Sequence, residues 1–218
     1  MYQLVFKKSK SVPLTATISD VIYQDMKEAI LKRKLRPNQR IRIREIARFL
    51  GVSQSPVRDA IQRLSAEKFV SVAARSEVKV VDVGVDEGRK IIEFIRILDT
   101  GCIEKVIETI SEKALGELKD MTRKLGELYK SKDIERYLEK NQRIHERIWR
   151  VCGNDFIYNT LVQAMERMQM VESRYISYFT DQKYLKLSWE DHRSLIVSIE
   201  KKDVAKAKKI LSLHWKYR

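Results

Sequence analysis

The stretch GVSQSPVRDAIQRLSAEKFV, residues 51–70, has the features of a short helix presented on a small folded core. Gly51 predicts a turn, and Ser53 and Ser55 offer oxygens for an N-cap. Pro56 suits the first helical turn, where its missing N–H costs little. The apolar side chains that follow recur at helical spacing: Val57, Ala60, Ile61 and Leu64. Because the remaining face is polar, the helix is predicted to bury one side and present the other to a partner.

The segments around this stretch predict two more helices and a hairpin. Apolar residues keep helical spacing over residues 18–33 and again over 43–50. Residues 69–72 and 78–83 read as two short strands on either side of a turn. Three helices followed by a two-stranded hairpin are the order of a winged helix-turn-helix, which places its second HTH helix in the DNA major groove.

The charge of the chain supports an anionic partner for this module. The 218 residues carry 44 Lys and Arg against 30 Asp and Glu, a formal charge of +14. Residues 1–83 hold 17 basic and 8 acidic side chains, whereas the longer remainder holds 27 and 22. The excess is therefore concentrated where the winged helix is predicted, as expected of a nucleic-acid-binding domain.

Beyond a hinge predicted at residues 84–86, the pattern is helical to the end of the chain. With only 7 Gly and 3 Pro in the whole sequence, the fold class is predicted to be mainly α. We expect a flexible basic arm at 1–17, a winged helix-turn-helix at 18–83 and a helical bundle at 84–218. The bundle helices are predicted near residues 87–109, 112–130, 134–151, 155–179, 183–201 and 203–215.

Two further features bear on the compartment. No stretch approaches about 18 consecutive apolar residues, and the first residues hold no apolar run suited to a signal peptide. We therefore expect no membrane partner and a cytoplasmic, nucleoid-associated location. Cys102 and Cys152 lie far apart without a CxxC pair, which fits reduced thiols.

Side chains suited to DNA contact cluster on the predicted winged helix. Arginine can fork onto guanine and glutamine onto adenine, whereas serine and lysine more often contact phosphate. A basic face on a lone helix is usually only a solvated face, but here it lies within a DNA-binding arrangement of elements. The candidates are Arg44, Gln54, Ser55 and Arg58 on the helices, with Arg75 and Lys79 on the hairpin.

The stretch KEAILKRKLRPNQRIRIREIARFLGVSQSPVRDAIQRLSAEKFV, residues 27–70, resembles the winged-helix domain of the GntR superfamily of bacterial transcription regulators. The resemblance covers about residues 18–83 and is most specific in LGVSxSPVRxAIxRL. It implies that double-stranded DNA is the partner, and it places five residues at DNA-contacting positions: Arg44, Ser53, Gln54, Ser55 and Arg58.

Three positions depart from the pattern of that family. Asn38 stands where Gly is usual, and Asn tolerates the same turn geometry. Gln54 stands where Arg is frequent, so the base preference should differ at that step. Glu77 stands where Gly is frequent at the wing tip, which argues against close entry of the wing into the minor groove.

All three histidines lie in the helical part, at His145, His192 and His214. Asn141 lies four residues before His145 and shares a helix face with it. Spacing alone does not bring the histidines together, and singly each fits an ordinary polar residue of a core or surface. His145-Glu146 begins like the HExxH motif of metalloproteases, but Trp149 occupies the place of the second histidine.

The stretches NQRIHERIWRVCGN (141–154) and WEDHRSLIVSIEKKDVAKAKKILSLHW (189–215) resemble the FCD effector domain of the FadR subfamily, in its smaller VanR-like branch. The resemblance implies a divalent metal and an arginine, Arg96, that faces the effector. A ligand set of three imidazoles and one oxygen suits Zn²⁺ or Ni²⁺, and Mn²⁺ less. An amide replaces the usual aspartate, so the ion would keep its full charge. The implied ligands are Asn141, His145, His192 and His214.

Together these features predict a DNA-binding transcription regulator, with repression the expected action. It is expected to bind a two-fold symmetric operator as a homodimer and to respond to a small organic acid bound at the metal. Two alternatives stay open. In the first, the helical domain serves only for dimerisation, without metal or effector. In the second, the chain is a metal-dependent hydrolase.

Overall fold

The computed structural model describes residues 2–6, 16–73, 77–171 and 181–216. The chain divides into two compact units. The first comprises Met1–Gly84 with Gln169–Glu172, and the second Val85–Met168 with Ser173–Arg218. Each unit has its own buried core and is described separately.

The first unit is a winged helix. Its elements are α1 (Tyr2–Val5), α2 (Ile18–Leu31), β1 (Arg40–Ile41), α3 (Ile43–Leu50), α4 (Gln54–Ala66), β2 (Val70–Ala73) and β3 (Glu77–Val80). The strands form one antiparallel sheet in the order β1-β3-β2. In its register, Ile41 faces Val78 and Val72 faces Val78 from the other side. The mainly α class with an N-terminal winged helix is therefore confirmed.

Local sequence explains where the helices of this unit begin and end. Thr17 caps α2 in a capping box, because its hydroxyl accepts from the Asp20 N–H while the Asp20 carboxylate accepts from the Thr17 N–H. Gly51 ends α3 in the left-handed region at φ 68°, which glycine adopts without strain. Ser53 occupies the N-cap of α4 but makes no side-chain capping bond there.

The polar face of α4 is presented because its apolar face is fully buried. Val57, Ala60 and Leu64 have no exposed surface, and α4 packs on α2, whose Ile22 and Met26 are also buried. Burial of this kind stabilises by about 1.5–3 kcal/mol for each large aliphatic side chain. The core therefore fixes the orientation of α4, leaving its other side toward solvent.

Two features of this unit differ from the sequence expectation. The basic arm expected at 1–17 does not begin as a free segment, since α1 forms and buries Val5 and Phe6. The Phe6 ring lies 6.2 Å from that of Phe49, which explains the anchoring by apolar contact. Residues 7–15 lie outside the described part. Strand β1 was not predicted, because two residues are too short for a strand pattern.

The second unit consists of helices. They are α5 (Val85–Thr109), α6 (Glu112–Ser131), α7 (Ile134–Val151), α8 (Asp155–Gln169), α9 (Gln182–Glu200) and α10 (Val204–His214). Their bounds agree with the predicted helices to within a few residues, except that α8 ends at Gln169, and residues 172–180 lie outside the described part. Among the residues described, no helix is both long and apolar enough to cross a membrane.

The core of this unit lies where α5, α7, α9 and α10 meet, while α6 covers α7 and α9. Ile95 and Ile103 of α5 and Ile144 and Ile148 of α7 have no exposed surface. Trp149, a large side chain, is likewise fully buried. This packing matters for the site described next, because it surrounds polar side chains that project into the same core.

Candidate functional site

The three histidines converge inside the helical unit. His145 lies on α7, His192 on α9 and His214 at the end of α10, and they are 0%, 1% and 8% exposed. The Nε2 atom of His145 lies 3.1 Å from that of His192 and 3.2 Å from that of His214. One ring nitrogen of each histidine therefore points toward a common centre.

The other ring nitrogen of each histidine faces an acceptor. Nδ1 of His192 lies 2.6 Å from the Ser188 carbonyl oxygen, which can only accept, so this nitrogen carries the proton. Nδ1 of His214 lies 3.3 Å from the Asp191 carboxylate, and Nδ1 of His145 lies 3.6 Å from that of Asp99. The last distance exceeds a hydrogen bond, and this nitrogen is buried without a partner among the described residues.

These acceptors leave lone pairs on the converging nitrogens. A neutral imidazole protonated on Nδ1 presents a lone pair at Nε2. Burial lowers the pKa of His145, although Asp99 opposes the shift, and burial lowers the pKa of His192 well below its ordinary value. Uncharged rings with Nε2 lone pairs are the form in which histidine binds metals.

The donor set fits a divalent cation. The Nε2 lone pair of His145 faces those of His192 and His214 at 3.1 and 3.2 Å, and such lone pairs repel unless a proton or a cation lies among them. Nitrogen ligands bind Zn²⁺ at about 2.0–2.1 Å, which places two ligands of one ion roughly 3–3.5 Å apart. Acceptors behind the ligating rings, such as Ser188 and Asp191, are typical of metal sites. A metal-binding arrangement is therefore favoured over three unrelated polar residues.

The fourth implied ligand is placed differently. Asn141 lies one turn before His145 on α7 and is half-buried. Its side-chain oxygen accepts a hydrogen bond from the Ser188 hydroxyl at 3.0 Å. The structure thus brings the three histidines together and directs the Asn141 oxygen toward Ser188, with one lone pair left for a further contact.

A buried carboxylate that was not predicted from the sequence adjoins the cluster. Asp99 of α5 has no exposed surface and accepts from the indole N–H of Trp149 at 2.9 Å and of Trp215 at 2.6 Å. Burial alone would raise the pKa of Asp99, but the neighbouring His145 ring and the hydrogen bonds from the two indoles outweigh it and lower the pKa. The sequence does indicate that Asp99 is buried, since it continues the apolar stripe of Ile92 and Ile95 at helical spacing.

Arg96 lies one turn before Asp99 on α5. Its side chain is 34% exposed, and its guanidinium lies 4.0 Å from the Glu93 carboxylate. Because residues three apart share a helix face, Arg96 lies near the edge of the face that carries Asp99. A half-exposed guanidinium with one distant carboxylate can still bind an anion.

The candidate DNA-contacting residues lie largely on the exposed side of the winged helix. Arg58 of α4 is exposed and donates a hydrogen bond of 3.3 Å to Gln54, which is half-buried. On β3, Lys79 is exposed and lies 3.4 Å from Glu77. Arg75 falls outside the described residues. The remaining candidates are all exposed: Arg44 on α3, Ser53 and Ser55.

Comparison with known proteins connects both units to described families. The FCD domain family matches residues 90–217, more than half of the chain. The family described as bacterial regulatory proteins, gntR family, matches residues 18–80. The first match covers the histidine cluster and the second covers α2 to β3.

Individual relatives are distant but extensive. The HTH-type transcriptional regulator McbR of Escherichia coli K12 is 27% identical over 164 residues, covering 74% of this chain and 71% of McbR. The uncharacterized HTH-type transcriptional regulator YdhC of Bacillus subtilis 168 is 21% identical over 196 residues, covering 89% and 86%. The solved structure of E. coli McbR/YncC superposes with a TM-score of 0.75 at 20% identity, covering 92% and 94%, which supports the same fold.

Proposed function

The chain belongs to the GntR family of bacterial regulators that carry an FCD domain, and from that premise we propose that its three-histidine cluster holds a metal ion to which a small carboxylate effector binds. Membership makes the protein a DNA-binding transcriptional regulator with a domain for a small-molecule effector. The observation that carries the proposal is the convergence of three Nε2 atoms, with that of His145 lying 3.1 Å from His192 and 3.2 Å from His214.

We propose that α4 enters the major groove. Its apolar face is buried on α2, so the opposite face is free to meet base edges. Arg58 and Gln54 are the candidates for reading bases, while Ser53, Ser55 and Lys79 suit phosphate. A homodimer on a two-fold symmetric operator follows as a proposal, because a single short helix reads few base pairs and two copies double the contacts.

The metal would be held by His145, His192 and His214. Asn141 would be a neutral oxygen ligand only if its oxygen contacts the ion while it also accepts the hydrogen bond from Ser188. A bound divalent ion supplies positive charge and open coordination positions for carboxylate oxygens. With three imidazoles Zn²⁺ or Ni²⁺ is favoured, since both suit nitrogen ligands.

Arg96 is proposed as a second anchor for the carboxylate. Its guanidinium can donate two parallel hydrogen bonds to one carboxylate, a geometry that lysine does not offer. An effector held between the cluster and α5 would favour one arrangement of the helical unit over another. A coupling of about 1–3 kcal/mol is enough for a useful change in operator affinity.

One alternative retains support from a specific observation. Asn141 replaces a charged ligand, and its oxygen already accepts from Ser188, so a helical unit that serves only for dimerisation is a second candidate. Hydrolysis is not. The matching families are regulators, and Trp149, at the place of the second histidine of HExxH, instead donates to Asp99.

Binding to DNA in the presence of defined acids tests the proposal. An operator is first selected from random duplexes, and its affinity is then measured by fluorescence anisotropy with protein stripped of metal or loaded with Zn²⁺. Mono-, di- and tricarboxylic acids are each compared with the corresponding amide. We expect at least one acid, and no amide, to shift affinity by about five-fold or more, and only with metal present.

Two variants sharpen the same experiment. Arg96→Gln should remove most of the response to the acid, whereas Glu93→Gln, one turn away on α5, should retain it. Sedimentation of the free protein tests the dimer. Equal responses with and without metal would contradict the effector site, and a monomeric species on a single half-site would contradict the dimer.

A further inference from the structure

The position of Asp99 has a consequence for the histidine cluster. We infer that Asp99 is a positioning residue that fixes the orientation and the protonated nitrogen of His145, so that its Nε2 lone pair faces the other two histidines. The inference rests on the metal site proposed above, and concerns a residue that would not itself touch the metal.

The carboxylate of Asp99 is enclosed by N–H groups. Oδ1 accepts from Trp149, and Oδ2 accepts from Trp215 and faces Nδ1 of His145 at 3.6 Å. The two indoles are donors only, so each holds one oxygen of the carboxylate in place as an acceptor. With Asp99 held in this way, the favoured orientation of His145 turns Nδ1–H toward the negative oxygen.

The negative charge of Asp99 would also be stabilised by a nearby cation. A buried carboxylate is costly unless it is paired with positive charge. Within the described ranges, the one ion-pair partner of Asp99 is the His145 ring, whose Nδ1 lies 3.6 Å from Oδ2. A divalent ion on the far side of that ring would supply the missing positive charge through the imidazole, as in carboxylate–histidine–metal triads.

Asp99 further ties together the helices that carry the ligands. Trp149 lies one turn after His145 on α7, and Trp215 directly follows His214 at the end of α10. The bonds from both indoles therefore converge on α5 and hold the ends of α7 and α10 close to it. This arrangement prepares two of the three histidines for binding before any ion arrives.

The experiment compares Asp99→Asn with Asp191→Asn in full-length protein. An amide offers one oxygen where the Asp99 carboxylate uses two, so at least one indole N–H loses its acceptor. Among the described residues, Asp191 accepts a side-chain hydrogen bond from Nδ1 of His214 at 3.3 Å, and an amide oxygen can still accept it. Competition with a chromophoric chelator should show Zn²⁺ bound about 10–100-fold more weakly by Asp99→Asn, and a smaller loss for Asp191→Asn.

A second measurement does not depend on the variant folding. In metal-free wild-type protein, ¹⁵N shifts of the imidazoles report which ring nitrogen of His145 carries the proton. In the wild type alone, we expect the proton of His145 on Nδ1. A proton on Nε2 of His145 in the wild type, or equal Zn²⁺ affinity of wild type and Asp99→Asn, would overturn the inference. Wild-type protein that binds no Zn²⁺ but keeps the Nδ1 proton would instead overturn the proposed metal site.

Discussion

Replacing His192 by alanine should separate the metal from ordinary packing. The side chain is 1% exposed and supplies one of the three converging nitrogens, together with a 2.6 Å bond to the Ser188 carbonyl. Its removal deletes a metal ligand and also leaves a cavity. Large-to-small changes in a core cost about 2–5 kcal/mol, so the metal-free variant is already less stable than the wild type.

The informative quantity is therefore the additional stabilisation produced by metal. A ligand at about 100 times its dissociation constant stabilises the folded state by about 2.7 kcal/mol. For a chain of this size, that corresponds to a rise in Tm of about 5–10 °C. We expect this rise for wild-type protein on adding Zn²⁺, and little or none for His192→Ala, because two imidazoles and an amide bind the ion far more weakly.

Tryptophan fluorescence suits the assay because all three tryptophans, Trp149, Trp189 and Trp215, lie in the helical unit. The matched control is Ser198→Ala, on the same helix as His192, which loses only a bond to the Ser194 carbonyl. That variant should melt at lower temperature yet keep the full response to Zn²⁺. An equal response in His192→Ala, or none in the wild type, would refute the reasoning.

Further expectations concern DNA, the fourth ligand and acid. Arg58→Ala should weaken binding to the specific site by about 1–3 kcal/mol and reduce the base preference at one position of that site, as measured by a binding selection. An equal loss of affinity for all sequences would instead show that Arg58 contacts phosphate. Gln54→Arg should alter the preferred base at one position per half-site, and identical selected motifs would place Gln54 away from the bases. Asn141→Asp should raise the affinity for Zn²⁺, measured by chelator competition, but lower the affinity for an anionic effector, measured by anisotropy. A variant that only damages packing would lower both affinities. The pKa of Asp20 lies at about 2 rather than 3.8, chiefly through bonds from Thr17, so its contribution to the winged helix is present above about pH 4 and lost toward pH 2. Acid titration followed by circular dichroism should show that loss in the wild type and not in Asp20→Asn.

Much of the fold could be predicted because its signals are local. The run from Ser53 to Leu64 carries a cap position, a first-turn proline and one apolar face, and each of these acts within a few residues. Helix bounds in the second unit follow from the same period. By contrast, α1 depends on contact of Val5 and Phe6 with a core assembled from distant segments, which a pattern of neighbours does not encode.

The residues of the candidate site were likewise predicted only in part from the sequence. A resemblance, rather than spacing, suggested that His145, His192 and His214 meet, because they lie on three helices and only packing brings them together. Asp99 was missed since a single acid in an apolar stripe gives no hint of its partners. Those partners, Trp149 and Trp215, lie 50 and 116 residues away along the chain. Long-range hydrogen bonds of this kind follow from the fold and not from local sequence.

The metal content of the purified protein tests the central claim most directly. Protein prepared without a histidine tag or chelator, desalted and measured by elemental analysis, should carry about one divalent metal ion per chain. His145→Ala, prepared in parallel and shown by circular dichroism to be folded, should carry little, because it loses the ligand shared by both short Nε2 contacts. Folded wild-type protein without a bound metal, or equal metal in wild type and variant, would contradict the account.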